Sequence, residues 1–182
     1  MSTTKPENRK QLLDMLGATQ KNVQWSWCAV DDTNKRVFFS IWEQEKLHEK
    51  NRYDTKAYLI QQPWWGVDEN LKSTKSRNDH NEKLRLYFEC GYSAYGYILK
   101  RKRDSDGNLK LPVEIGGVCD FIFHLDLIKV PRLDLEGYMH ELISQGIFET
   151  DFEQEFTTIG IVRDRISRSQ FYTFKYGKLT HK

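Results

Sequence analysis

The sequence predicts an α+β fold: a curved, mainly antiparallel sheet or small β-barrel with flanking helices. β-rich runs outnumber helical ones, and they follow one another through short turns without regular βαβ alternation. At 182 residues, 38% of them hydrophobic, the chain holds apolar mass for one packed domain. The reading is therefore a single domain over 1–182, with 131–182 forming a C-terminal helix plus a basic, β-rich extension.

The elements follow in order. Leu12, Leu13, Met15 and Leu16 have helical spacing, and Gly17 supplies a stop, so a short helix opens the chain. Val23 to Val30 alternates, with Val23, Trp25, Trp27 and Ala29 on one side, which predicts a strand. The turn residues Asp31-Asp32-Thr33-Asn34 join it to a second strand, Arg36 to Trp42, in a hairpin. A third strand is expected over Tyr53 to Ile60, ended by Pro63.

Gly66 to Asn78 is polar and is expected to be a long mobile loop that contacts ligand. Asp79 and Glu82 have capping-box-like spacing, and Leu84, Tyr87 and Phe88 share a face before Gly91, so a helix is expected from Asp79. Strands are then predicted over Ala94 to Lys100, Val113 to Ile115 and Cys119 to Val130. The last of these alternates Phe121, Phe123, Leu125 and Leu127 against Asp120, His124 and Asp126, which suits the sheet centre. A helix capped by Asp134 and closed by Gly146 follows, and the runs Thr158 to Ile166 and Phe171 to Tyr176 read as late strands.

No stretch approaches the roughly 18 consecutive apolar residues of a membrane span, and no apolar leader opens the chain. Cys28, Cys90 and Cys119 are far apart and fit neither a disulfide framework nor a CxxC metal pair. The expectation is a reducing, cytoplasmic setting without a membrane. A net charge of +2 does not announce a polyanion partner, yet the charge is uneven: residues 159–182 carry six Lys or Arg against one Asp. That basic end could meet phosphate, or pair with the acidic segment before it.

Signatures of common enzymes are absent: there is no Gly-rich phosphate loop, G-x-S-x-G, H-E-x-x-H or zinc spacing. Asp68 and Glu69 with Lys72 form a crude carboxylate-lysine trio of the kind a Mg²⁺-dependent nuclease uses, and a trio that a chain this charged produces by chance. His124, flanked on its strand by Asp120 and Asp126, reads as an ordinary strand histidine more readily than as a catalytic one.

The aromatic inventory is more informative. Trp25, Trp27, Trp42, Trp64 and Trp65 all fall in the first 65 residues. Core burial accounts for two or three of them; the others suggest flat walls that stack a nucleobase. The candidate stacking surfaces are Trp27, Trp42, Trp64, Trp65 and Tyr95. Lys100, Arg101 and Arg103, with Arg77 of the polar loop, are the candidate phosphate ligands, although the basic run equally fits a solvated hairpin tip.

The stretches W-S-W-C-A-V at 25–30, V-F-F-S-I-W at 37–42 and N-D-H-N-E-K-L-R-L-Y-F-E-C-G-Y at 78–92 resemble a bacterial module found beside HNH endonuclease domains in restriction-like proteins. Over roughly residues 10–130 the chain is also similar to the PUA-like superfamily, which includes EVE, YTH, ASCH and SRA modules. That resemblance implies a small β-barrel that accepts a modified or flipped base in an aromatic pocket. It would place Trp25, Trp27 and Trp42 in the barrel or pocket wall, and Trp64 and Trp65 at the mouth. The chain has no HNH motif with its cysteines and histidines, so cleavage would fall to a nuclease partner in trans. The leading expectation is a non-catalytic, cofactor-free module that reads a base in DNA in a restriction or phage-defence context. A compact Mg²⁺-dependent nuclease and a protein-interaction subunit are the alternatives.

Overall fold

The computed structural model describes residues 4–43, 56–63, 65–70, 72–110, 114–131 and 156–177. Six strands form one mixed sheet: β1 (Cys28–Asp31), β2 (Arg36–Trp42), β3 (Ala57–Gln61), β4 (Ser93–Arg101), β5 (Ile115–Pro131) and β6 (Phe156–Ser167), in the order β1-β2-β4-β5-β6-β3. The helices are α1 (Arg9–Leu16), α2 (Lys75–Cys90) and α3 (Phe171–Lys175). The fold is thus α+β, and every ladder is antiparallel except β2 with β4. That parallel pair needs a crossover, and β3 and α2 lie within it.

Strand alternation sorts the core into two sides. On β2, Phe38 joins Tyr95, Tyr97 and Leu99 of β4 beneath α1 and α3. Its neighbours Val37, Phe39 and Ile41 point the other way and pack with Leu84 of α2. That second cluster also holds Ile60 of β3, at the opposite end of the strand order from β1 and β2. The sheet therefore curls around this face until its ends share side-chain contacts. No ladder joins β3 to β1 or β2 among the described residues, so the sheet is not closed.

Two glycines accommodate the side chains packed on this face. A Cβ on Gly96 would lie 2.5 Å from Ile41 Cδ1, and one on Gly160 would lie 3.0 Å from Ile60 Cδ1. Each bare backbone makes room for an isoleucine side chain of the strand paired beside it.

Several elements depart from the sequence expectation. The strand expected from Val23 begins only at Cys28. Asn22 Oδ1 accepts from the Gln24 and Trp25 N–H groups, and this Asx turn overrides the alternation. The segment expected as a long loop over 66–78 is a short tied turn. Val67 bridges Ser73, and α2 starts at Lys75 because Thr74, not Asp79, caps it: Thr74 Oγ1 accepts from Arg77 N–H.

Phe171 to Tyr176 is helical rather than extended. Phe171 and Phe174 are both fully buried on one side, a spacing of three that a strand cannot satisfy. Phe156–Ser167 is an interior strand, so this part of the C-terminal region is built into the sheet. The helix expected from Asp134, Trp64, and the outer parts of the 53–60 and 113–115 runs lie outside the described residues. Among the described residues no helix is long and apolar enough to cross a membrane.

Candidate functional site

β1 is only four residues long, so its pairing with β2 ends early. Cys28 pairs with Phe39, the Ser40 N–H donates to Trp27 O at 3.0 Å, and Ser40 to Trp42 run on beyond it. A cavity of about 390 Å³ opens at this seam, between the end of β2 and Ile60 of β3. It lies near the small end of the roughly 300–1,000 Å³ that ligand pockets span.

Trp27, Trp42 and Trp65 all line it, as do Arg9, Ser40 and His80. Each indole is half-buried, so part of each ring is covered and part faces the cavity. Leu99 and Ile115 complete an apolar wall.

Each wall is fixed by identifiable contacts. Gly66, at φ 69°, lets the chain pass close beneath Trp27: a Cβ there would sit 2.7 Å from the indole Cη2. Trp65 is held by Arg77, whose Nη1 donates to Trp65 O at 2.6 Å and to Gln62 O at 3.1 Å. Arg9, on the first turn of α1, donates through Nη2 to Val23 O at 2.8 Å and so ties the Asx turn to the helix.

His80 is buried among aromatic edges, 5.7 Å from the Trp27 ring and 5.3 Å from that of Phe39, both T-shaped. Gln61 fixes its tautomer. The Gln61 amide nitrogen donates to Asn81 Oδ1 at 2.9 Å and lies 3.0 Å from His80 Nδ1. An amide nitrogen carries donors only, so Nδ1 must accept and the ring proton sits on Nε2. Burial, reinforced by the Arg77 charge, lowers the His80 pKa to about 3. At neutral pH the ring is therefore an uncharged hydrogen-bond donor and a poor proton acceptor, suited to holding a ligand.

The structure distributes the predicted site residues unevenly. Trp27, Trp42 and Trp65 converge. Tyr95 does not: it is buried further along β4, outside the cavity lining, stacked on Phe38 at 5.5 Å and His124 at 5.1 Å. Arg77 is buried and directed at backbone carbonyls, so it positions the Trp65 wall instead of meeting phosphate.

Lys100 is exposed, and Arg101 lies opposite Ile115 of the cavity wall, so the basic run starts at the rim. Arg103 Nη1 closes its own hairpin turn by donating to Gly107 O at 2.8 Å. Asp68 also serves a turn: its Oδ1 accepts from the Asn70 and Lys72 N–H groups, both at 2.9 Å. Glu69 and Lys72 are exposed, and among the described residues no group of three or more His, Cys, Asp or Glu could hold a metal ion.

Sequence reasoning missed Arg9 and His80. Both reach the cavity only through long-range packing, and the sole hint was that His80 lies on a helical run. The chain matches no family model, no curated protein and no solved structure.

Proposed function

We propose that this chain is a nucleic-acid-binding module that accepts a single flipped or modified base of DNA in the Trp27–Trp42–Trp65 cavity, without itself catalysing a reaction. The observation that carries this reading is the convergence of three half-buried indoles on one small cavity at the open seam of the sheet. Flat aromatic walls favour a planar heterocycle, at about 1–3 kcal/mol per stacked base. Ser40, Arg9 and the uncharged His80 offer polar groups to its edge. Lys100 and Arg101 at the rim supply charge for the adjoining phosphates.

The curled sheet with helices on both sides is compatible with a PUA-like module, and that resemblance is what suggests a restriction or phage-defence setting with a nuclease acting in trans. The test is a titration of intrinsic tryptophan fluorescence with DNA oligonucleotides bearing one modified or mismatched base, against unmodified duplex. Quenching that saturates, favours the substituted strand, and is lost in Trp42→Ala supports the reading. Emission that no oligonucleotide alters overturns it.

A further inference from the structure

A second hollow, of about 580 Å³, lies away from the indole cavity, where the end of β6 meets α3 and the last turn of α1. Its walls carry the cations Arg165, Arg168 and Lys175 and the Ser167 and Ser169 hydroxyls, with the rings of Tyr172 and Tyr176 at its side. Among the described residues of its walls one carboxylate, Asp120, opposes the three cations, 3.7 Å from Arg168 Nη1. The cations are held in place. Arg165 lies 3.9 Å over the Phe121 ring, and Lys175 Nζ donates to Asp14 O at 3.0 Å.

The two tyrosines are packed on each other, centroids 4.7 Å apart, yet remain 51% and 57% exposed. An excess of positive charge and uncovered aromatic faces together suit a phosphodiester with a base stacked beside it. A solvated basic face has no need of paired, uncovered rings. Helix α1 connects the two hollows: Arg9 lines the first and Met15 the second, six residues or about 9 Å of helix rise apart.

We infer that this hollow is a second nucleic-acid contact, in which Arg165, Arg168 and Lys175 hold the backbone phosphates, and Tyr172 and Tyr176 a base, of the strand whose neighbouring base enters the indole cavity. The inference rests on the nucleic-acid reading above and extends it to a tract of several nucleotides.

The test measures binding of the full chain to a fluorescein-labelled 12-nucleotide single-stranded DNA by anisotropy across a salt series. Each phosphate released lowers the slope of log K against log salt by about 0.7 for a single strand, so Arg165→Gln with Lys175→Gln is expected to make the slope shallower by about 1.4. Indole quenching by free nucleoside should be unchanged in that variant. Asp120→Asn removes the opposing carboxylate and is expected to tighten binding about two- to five-fold, a gain that misfolding cannot mimic. A slope unmoved by the double variant and an affinity unmoved by Asp120→Asn overturn the second contact and leave the base cavity standing. A wild-type chain that binds no oligonucleotide overturns both.

Discussion

Replacing His80 with glutamine tests whether the ring is held neutral inside the cavity wall. In the folded chain its pKa is lowered to about 3 from an ordinary 6.5. Between those values the unfolded chain carries a proton that the folded chain refuses. Stability contributed by the neutral ring is therefore complete above pH 6.5 and drains away as pH falls toward 3. The slope approaches about 1.4 kcal/mol per pH unit, which amounts to about 2–3 kcal/mol between pH 7 and pH 4.5. Glutamine does not titrate, so the wild-type-minus-variant difference isolates this residue from the carboxylates that titrate in the same range. Urea unfolding at pH 7, 6, 5 and 4.5 gives the measurement. With an m-value of about 1–3 kcal/mol/M, the wild-type midpoint should lose roughly 0.7–3 M more than the variant's. A difference that stays flat across the series would refute a buried, neutral His80 and, with it, the fixed donor at Nε2.

Three further outcomes follow from the same contacts. Trp42→Ala and Trp65→Ala should each weaken oligonucleotide binding by about 1–3 kcal/mol, roughly 5- to 150-fold, in the fluorescence titration; a change below two-fold in both would show that neither indole touches the ligand. Lys83→Met strands Asp79, whose Oδ1 accepts from Lys83 Nζ at 2.9 Å while Oδ2 has no partner. Urea unfolding should register a loss of about 3–5 kcal/mol, much of it recovered by adding Asp79→Leu, because the exposed cost is that of one unpaired buried charge. Gly66→Ala combines a left-handed backbone, about 1–2 kcal/mol for any other residue, with a Cβ 2.7 Å from Trp27 and 2.9 Å from Arg77 Cβ. It should destabilise the chain and shift indole emission, and an unaltered emission spectrum would mean the 66 turn does not set the Trp27 wall.

Local chemistry made much of this fold legible. Gly17 and Gly91 end α1 and α2 at φ 76° and 74°, as their place after apolar helical runs implied. The alternation of Phe121, Phe123, Leu125 and Leu127 marked β5, which lies inside the sheet between β4 and β6. The errors came where two local signals competed. Asp79 resembled a cap, yet Thr74 does the capping, and Asp79 instead forms a buried pair with Lys83. The aromatic run at 171–176 has strand composition but a period of three in its buried residues. What no local pattern encodes is the parallel pairing of β2 with β4 and the curl that brings β3 to β2. The site follows the same division: clustered tryptophans announced an aromatic wall, whereas His80, Arg9 and the role of Arg77 depend on which distant segments the curl brings together.

The open seam also explains why base selection and strand affinity can reside in different places. The Ser40 N–H is turned toward Trp27, so Trp42, two residues along β2, turns its own backbone N–H and C=O the same way, past the end of β1. Among the described residues no ladder partner meets it there. An exposed strand edge invites pairing with another chain, and here large indoles flank it and narrow what can approach to something flat. The recognition groups at the seam are thus a strand edge, a hydroxyl and an imidazole that is uncharged at neutral pH, with Arg9 the one cation in the lining among the described residues. Such contacts discriminate among bases while depending little on ionic strength. Further positive charge lies outside the cavity lining, at the rim from Lys100 onward and in the hollow beside α3, where salt screens it. Raising salt should therefore weaken binding to every strand while leaving the ratio between preferred and ordinary bases nearly constant. A ratio that collapses in parallel with affinity would mean that charge, not the indole seam, makes the choice.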